Sequence, residues 1–143
     1  ETKNPNVYPG MEEQLLETLK KHHMLTGNSL NHGHILIQSF SEESLQKMHQ
    51  LDSSVPLIQL LDKNELQQQS EADLKHIRSY AIGVGPDYTS LNAENTKHLK
   101  DLGFLIHPYT VDKTTDMQRL NQYGVDGLFT NFADKYKATI PNE

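Results

Sequence analysis

The sequence predicts an α/β fold of parallel strands, of the (βα) barrel type. Five short apolar runs begin 22, 24, 24 and 22 residues apart, and one strand, one helix and two short loops need about that much chain. The runs are almost continuously apolar, which is typical of parallel strands that are buried on both faces. The predicted strands are His34–Phe40, Pro56–Asp62, Tyr80–Val84, Phe104–Val111 and Asp126–Phe132.

Amphipathic segments precede the first strand and connect each strand to the next. They repeat apolar residues at intervals of three or four, as helices that pack on a sheet do. The polar segment Lys63–Ser70 is expected to be a surface loop or a frayed helical turn. The predicted helices are Met11–Met24, Ser41–Leu51, Glu71–Ser79, Asn92–Leu102 and Thr115–Tyr123.

Polar residues and glycines mark the ends of these helices. Ser41 and Asn92 are predicted N-caps, and Ser70-x-x-Asp73 has the spacing of a capping box. Gly103 and Gly124 each follow a predicted helix, where the left-handed conformation that ends a helix costs glycine little.

Composition excludes several classes of protein. The net charge of −6 and the pI of about 5.7 do not fit the basic surface that non-specific binding of nucleic acid needs. No apolar run approaches the ~20 residues of a membrane span, and no signal peptide is visible. The absence of cysteine excludes disulfides and thiolate metal sites.

Residues 1–143 are expected to form a single partial domain. It would contain the end of one barrel strand, at Glu1–Lys3, and five further strands. An eight-stranded barrel needs about 250 residues, so the chain predicts a little over half of one. The first methionine is Met11, so we do not expect Glu1 to be a natural start. Open strand edges in such a piece favour self-association.

Polar and aromatic residues at the carboxyl ends of the strands are the candidate site, because reactive groups of parallel α/β proteins lie there. Glu1 and Lys3 share a face of an extended segment. A carboxylate suits Ca²⁺ or Mg²⁺, and a lysine can act as a point charge beside a phosphate. From these two residues alone, a solvated strand end is the simpler interpretation.

Four further residues have a functional and a structural interpretation each. Gln38 could bind a phosphate or glycerol oxygen, or be a satisfied buried amide. Phe40 and Tyr109 could wall a pocket, or fill the core. His107 could bind substrate or serve in acid–base work, but a hydrogen-bonded histidine before the bend at Pro108 is the simpler interpretation.

Three other patterns in the sequence give little support for a functional site. His22-His23 and His32-x-His34 lack the partners of a zinc site. Gly83-x-Gly85 runs into Pro86 instead of a helix with a third glycine, so it does not predict a dinucleotide site. No Gly-x-Ser-x-Gly elbow of a serine hydrolase is present.

Four motifs in order resemble the carboxyl-terminal part of the glycerophosphodiester phosphodiesterase family. The similarity is strongest to the Gram-positive branch, staphylococcal enzymes in particular, and runs over essentially the whole chain. The motifs are Glu1-Thr-Lys3, Ile37-Gln-Ser-Phe40, His107-Pro-Tyr-Thr-Val111 and Gly124-Val-Asp-Gly-Leu-Phe-Thr-Asn-Phe132.

The resemblance implies the carboxyl-terminal half to two-thirds of a TIM-type barrel, with a small insertion after the second strand of the whole. It implies hydrolysis of glycerophosphodiesters to glycerol 3-phosphate and an alcohol with a divalent cation, most favourably Ca²⁺, or Mg²⁺. Lipid-derived or teichoic-acid-like diesters would be the small-molecule substrates. The cell envelope or exterior of a bacterium is the expected location, with the cytoplasm as the alternative.

Site residues carry over in part. Glu1 would hold the cation and Lys3 would contact the phosphate. The glycerol pocket would involve Gln38, Phe40, Tyr109 and, as a further substrate contact, His107. The family's Glu-x-Asp pair and its two acid–base histidines have no counterpart, which implies that the isolated chain is inactive.

Three positions depart from the family's pattern. Tyr109 stands where the family often has tryptophan. The family's Thr-Val-Asn is here Thr110-Val-Asp112, and its late Thr-Asp is Thr130-Asn131.

Two other functions stay open. The chain could be an inactive half-barrel that binds a phosphoglycerol group or serves as a scaffold. It could also belong to another barrel class, such as a Schiff-base aldolase with Lys3 as its amine, although Glu1 beside it would tend to keep that amine charged.

Overall fold

The computed structural model describes residues 1–140, which form two compact units. The first contains Glu1–Leu60 and His76–Ile82, and the second contains Leu61–Lys75 and the residues from Gly83 onward. Each unit has its own parallel strands and its own buried apolar residues.

The first unit packs helices on a short parallel sheet. Strand β1 (Ile37–Ser39) pairs in parallel with β2 (Leu57–Leu61), with Gln38 opposite Ile58. Helices α1 (Met11–Lys21) and α3 (Glu42–Leu51) contact each other, and α3 also contacts β1. A short helix, α2 (Gly27–Asn31), and a 3₁₀ turn (Pro5–Val7) complete the unit's regular structure. Its buried apolar side chains include Leu16, Leu19, Ile37, Leu45, Met48, Leu57, Ile58 and Leu60.

The second unit repeats the strand–helix order. Strands β3 (Gly83–Pro86) and β4 (Leu105–Ile106) pair in parallel, and an isolated parallel bridge joins Asp87 to Tyr109. Its helices are α4 (Glu65–Gln68), the first part of α5 (Glu71–Arg78), α6 (Ala93–Asp101), α7 (Thr114–Tyr123) and α8 (Ala133–Lys137). Its fully buried side chains include Leu99, Phe104, Ile106, Met117 and Leu120.

The predicted helix ends are confirmed by hydrogen bonds. The Ser44 N–H donates to Ser41 Oγ at 3.2 Å. In the capping box, the Ser70 N–H donates to Asp73 Oδ2 at 2.9 Å and the Asp73 N–H donates to Ser70 Oγ at 3.2 Å. Asn92 caps α6. Gly103 and Gly124 both have the positive φ that ends a helix.

The predicted limits of two strands differ from the observed ones. Tyr80–Val84 is displaced, because the N–H groups of Tyr80 and Ala81 donate to the Ile77 carbonyl and continue the end of α5, so that β3 starts at Gly83. Phe104–Val111 is too long, because Pro108 has no N–H to give to a ladder, so that β4 ends at Ile106.

The predicted strand Asp126–Phe132 is wrong as regular structure. Its backbone does lie beside β4, since the Asp126 N–H donates to the Ile106 carbonyl at 3.1 Å and the Phe129 N–H to the Pro108 carbonyl at 2.9 Å. The Ile106 N–H, however, donates to the side-chain Oδ2 of Asp126 at 2.9 Å. A side chain thus occupies a donor that a strand would pair with a carbonyl, and no ladder forms.

Other limits moved by shorter distances. Met11–Met24 ends at Lys21, and His34–Phe40 starts at Ile37. The polar segment after β2 contains the single turn α4, as one of the two expectations had it. The prediction of one partial domain stays a prediction. Among residues 1–140, no helix has the length and apolar character needed to cross a bilayer.

Candidate active site

The amino-terminal segment of the first unit alternates between two faces. Thr2 is buried, with 3% of its surface exposed, whereas Glu1 and Lys3 on either side are exposed. The Thr2 N–H donates to the Gln38 carbonyl at 3.0 Å, so the segment runs beside β1. The Lys3 ammonium lies 4.0 Å from Glu1 Oε2. The two side chains therefore share a face, as the spacing indicates.

Glu1 and Lys3 line a cavity of about 690 Å³ together with Phe40. A volume of this size is in the range of small-molecule pockets, roughly 300–1,000 Å³. Phe40 is 44% exposed and contributes to the wall of the cavity. A charge pair beside an aromatic wall suits a ligand with an anionic and an apolar part.

Gln38 belongs to the same unit. Ile37 and Ser39 are buried and Gln38 is half-buried. Since neighbouring side chains on a strand point to opposite faces, Gln38 lies on the face opposite Ile37 and Ser39. Its carbonyl is the acceptor that holds Thr2.

The sequence interpretation missed Gln59, which supports the end of β1. Its amide is buried and donates to the Phe40 carbonyl at 3.2 Å, and its Oε1 accepts from the Tyr80 hydroxyl at 2.8 Å. A single glutamine inside the apolar run LIQLL was the available signal, because a buried amide must find partners.

A second missed group lies behind Thr2. The Glu12 carboxylate is buried and accepts from Ser44 Oγ at 2.6 Å and from the Lys47 ammonium at 3.1 Å. Burial opposes its charge, but these hydrogen bonds outweigh burial and hold the pKa of Glu12 below its usual range. Glu12 is therefore ionised at neutral pH.

The described residues do not by themselves complete a metal site. No group of three or more histidine or acidic side chains within residues 1–140 could hold an ion. Glu1 is the carboxylate of the cavity, whereas Ca²⁺ takes 6–8 oxygen ligands and Mg²⁺ requires an octahedral set. One carboxylate fits a cation ligand in kind but not in number.

His107 follows β4 in the second unit. Its N–H donates to the Val84 carbonyl at 3.0 Å, and its half-buried imidazole lies against Gly127. Burial lowers the pKa of His107; the Asp126 carboxylate opposes this effect and the Lys100 ammonium adds to it. The imidazole is therefore neutral at pH 7, so one ring nitrogen donates a hydrogen bond and the other accepts one.

Tyr109 also lies in the second unit. Its backbone exchanges hydrogen bonds with the end of β3: its N–H donates to the Pro86 carbonyl at 3.2 Å, and its carbonyl accepts from Tyr88 at 3.0 Å. The hydroxyl donates to the Leu61 carbonyl at 2.8 Å. The ring is thus held at both ends, and the phenol proton is already engaged.

The loops after β4 are joined by an interaction that the sequence interpretation missed. Asp112 Oδ1 accepts from the Asn131 N–H at 2.9 Å, and Asp112 Oδ2 accepts from Asn131 Nδ2 at 3.0 Å. Thr130 Oγ1 donates to Oδ1 at 3.3 Å. These bonds, the Asn131 N–H first, lower the pKa of Asp112. The only signal in the sequence was that the resemblance implies an amide at 112 and an acid at 131, where this chain has Asp112 and Asn131.

Known proteins match nearly the whole chain. The model of the glycerophosphoryl diester phosphodiesterase family matches residues 1–135. A glycerophosphodiester phosphodiesterase of Bacillus subtilis (strain 168) is 48% identical over 136 residues, which are 95% of this chain and 46% of that protein. Another, from Caldanaerobacter subterraneus, is 26% identical over 125 residues, which are 87% of this chain and 47% of that protein. The chain spans about half the length of these relatives.

Solved structures agree on the fold. A glycerophosphodiester phosphodiesterase from Parabacteroides distasonis superposes with a TM-score of 0.74 at 17% identity, over 96% of this chain and 53% of that chain. A phosphodiesterase from Oleispira antarctica, in complex with the product sn-glycerol-3-phosphate, gives 0.64 at 14% identity, over 73% and 40%. The predicted α/β fold, part of a TIM-type barrel, is confirmed. With a family model over residues 1–135 and a relative that is 48% identical, the chain belongs to the glycerophosphoryl diester phosphodiesterase family.

Proposed function

We propose that this chain is part of a glycerophosphodiester phosphodiesterase that releases glycerol 3-phosphate and an alcohol. The observation that carries the proposal is the Glu1–Lys3 pair beside Phe40 in one cavity of a family member. The name of the Bacillus subtilis relative and the product bound to the Oleispira antarctica phosphodiesterase support the choice of substrate class.

The charges of the cavity suit a phosphodiester. The Lys3 side chain is 77% exposed, so its ammonium is accessible to a phosphate oxygen. Phe40 offers a face to the carbon skeleton of glycerol. Glu1 would be one ligand of a divalent cation, Ca²⁺ or Mg²⁺, which when bound neutralises phosphate charge. Its further ligands would come from outside the described residues.

Gln38, His107 and Tyr109 stay predicted substrate contacts. The neutral imidazole of His107 suits a hydrogen bond to a hydroxyl better than it suits a charge pair with phosphate. Because the Tyr109 hydroxyl donates to Leu61, we expect its ring, and not its proton, to meet the substrate. Gln38 keeps an amide that can both donate and accept.

A binding module without catalysis is the second candidate. The observation that favours it is the lining of the cavity, where the Lys3 ammonium and the Phe40 ring can bind a phosphoglycerol group without a cation. Calorimetry of this chain with glycerol 3-phosphate, with and without Ca²⁺, separates binding from a scaffold role. Turnover by the chain alone would exclude the second candidate.

The direct experiment measures release of glycerol 3-phosphate from glycerophosphocholine by a full-length protein that contains this chain. We expect Glu1→Gln to lower kcat/KM by more than about 100-fold. Substitution of a residue that only supports a metal ligand already lowers metal affinity or activity by about 10–100-fold. Lys3→Met should raise KM. Glu17→Gln and Lys21→Met, on exposed positions of α1, are charge-matched controls and should stay near wild type. Wild-type turnover by the Glu1→Gln protein would remove Glu1 from this role.

A further inference from the structure

A buried, hydrogen-bonded carboxylate lies on the opposite side of Thr2 from the cavity residues. Glu12 is in the first turn of α1 and has 4% of its surface exposed. Ser44, in the first turn of α3, links it to Thr2, because Thr2 Oγ1 lies 3.1 Å from Ser44 Oγ and Ser44 Oγ lies 2.6 Å from Glu12 Oε1. Thr2, Ser44 and Glu12 are called the hydroxyl chain below.

The direction of the hydroxyl chain follows from counting protons. An ionised carboxylate can only accept, so the single Ser44 proton goes to Glu12. Ser44 has then no proton left for Thr2, so the Thr2 hydroxyl must donate to Ser44. The Lys47 ammonium, 3.1 Å from Glu12 Oε2, keeps the carboxylate charged and thereby keeps this direction.

The hydroxyl chain fixes the side chain of Thr2, in addition to two hydrogen bonds of its backbone. The Thr2 N–H donates to the Gln38 carbonyl, and the Thr2 carbonyl accepts from Ser39 Oγ at 2.9 Å. With its N–H, carbonyl and side chain all bonded, Thr2 cannot rotate about the strand axis. Since side chains alternate along an extended segment, the side chains of Glu1 and Lys3 then lie on the other face, and both residues line the cavity.

We propose that Glu12 is a positioning residue: through Ser44 and Thr2 it holds the side chains of Glu1 and Lys3 towards the phosphate of the substrate. This inference rests on the proposed function, because it takes the Glu1–Lys3 pair as the phosphate-handling end of the site. Glu12 itself does not touch the substrate.

Glu13 provides a matched comparison. Its carboxylate lies 3.0 Å from the same Lys47 ammonium, but it makes no hydrogen bond to Ser44 among the contacts of the described residues. Glu12→Gln and Glu13→Gln therefore remove the same charge beside the same lysine. Only Glu12→Gln changes the hydroxyl chain. The new amide would turn its oxygen towards the Lys47 ammonium and its NH₂ group towards Ser44. Ser44 would then accept a hydrogen bond from residue 12 instead of donating one.

The experiment uses the full-length protein and four variants: Glu12→Gln, Glu13→Gln, Ser44→Ala and Thr2→Val. For each we would measure kcat and KM with glycerophosphocholine, and the Kd of glycerol 3-phosphate by calorimetry in EDTA, where binding depends on the protein's own groups. We expect Glu12→Gln, Ser44→Ala and Thr2→Val each to raise KM and this Kd by about 10-fold, as for residues that orient ligand-binding groups. Glu13→Gln should stay within about twofold of wild type.

Two further results decide between positioning and general stability. The double variant Glu12→Gln/Ser44→Ala should bind no more weakly than the weaker single variant, because both changes break one chain. Equal losses in Glu12→Gln and Glu13→Gln, or wild-type Kd in Ser44→Ala and Thr2→Val, would overturn the inference. If Glu12→Gln fails to fold, the Ser44 and Thr2 variants still decide it. A wild-type protein that neither hydrolyses the diester nor binds glycerol 3-phosphate would instead refute the proposed function, and this inference with it.

Discussion

Asp112 and Asn131 form an acid–amide pair that joins the loops after β4. The two side chains are bonded at 3.0 Å, and Asp112 also takes the Asn131 N–H. An exchange of acid and amide across such a pair keeps one donor facing one acceptor. We therefore expect the acid and the amide to be interchangeable as a pair.

We predict that the exchange is reversible. Asn131→Asp alone places two carboxylates together and should destabilise the protein at pH 7, with relief as the pH falls and one of them is protonated. Asp112→Asn alone leaves two amides face to face and should also destabilise. The double exchange should restore stability towards wild type, which urea unfolding of all four proteins would show. Strict additivity of the two single effects would contradict the pairing.

The pH dependence of the pair has a definite sign. The folded pKa of Asp112 lies below its unfolded value, so its stabilising contribution is full above the unfolded pKa, about 3.9, and is lost as the pH falls through the folded value. An amide in place of this carboxylate does not titrate. Asp112→Asn should therefore flatten the acid side of the stability curve, and an unchanged slope would speak against this contribution.

The placement of a residue was predictable where it follows from the alternation of side chains or from a motif. Glu1 and Lys3 share a face as the alternation of side chains indicates, and both line a cavity with Phe40. Glu12 was not found, because a glutamate in the first turn of a helix normally needs no partner beyond solvent and the helix dipole. Its burial depends on α3, which brings Ser44 and Lys47 to it.

At the scale of elements, helix ends followed the local chemistry of caps. Gly124 ends α7 with φ +89°, a conformation that L side chains rarely adopt. Gly127, three residues on, has no such φ, and a methyl group there would meet His107 Cδ2 at 3.5 Å, an ordinary contact.

We therefore expect the two glycines to respond differently to alanine. Gly124→Ala should lower the free energy of unfolding by about 1–2 kcal/mol, the cost of a left-handed residue with a Cβ. Gly127→Ala should change it by less than about 0.5 kcal/mol, as a substitution that breaks no special conformation. Chemical denaturation measures both, and equal effects would show that backbone conformation is not the cause.

Strand limits were less predictable than helix ends. An apolar run shows that a segment is buried, but not which of its N–H groups reaches a neighbouring carbonyl. Tyr80 and Ala81 give theirs to a helix end, and Ile106 gives its N–H to the Asp126 side chain. The period of apolar residues that predicts a strand does not show these partners, a helix carbonyl and a side chain.

At the scale of the molecule, each of the two units has its own core. Leu45 is fully buried in the first and Leu120 in the second. We predict that Leu45→Ala and Leu120→Ala each cost about 2–5 kcal/mol, the loss for a leucine replaced by a cavity. Val7→Ala, at a side chain that is 66% exposed, is the control and should have little effect. Thermal or urea unfolding would test this, and a Leu45→Ala protein as stable as the control would refute it.

Self-association through open strand edges stays a prediction at this scale. Sedimentation of this chain over a range of concentrations would measure it. A monomer at every concentration would contradict it.

Short segments of the sequence were sufficient to predict the α/β class, the alternation of strand and helix, the helix caps and the shared face of Glu1 and Lys3. These features depend on a residue and its near neighbours, and so leave a periodic trace in the sequence. The hydroxyl chain, the Gln59–Phe40 hydrogen bond and the Asp112–Asn131 pair join residues that are between 19 and 42 positions apart. Such pairings cost or gain free energy only when packing brings both partners together, so no single segment of the sequence records them.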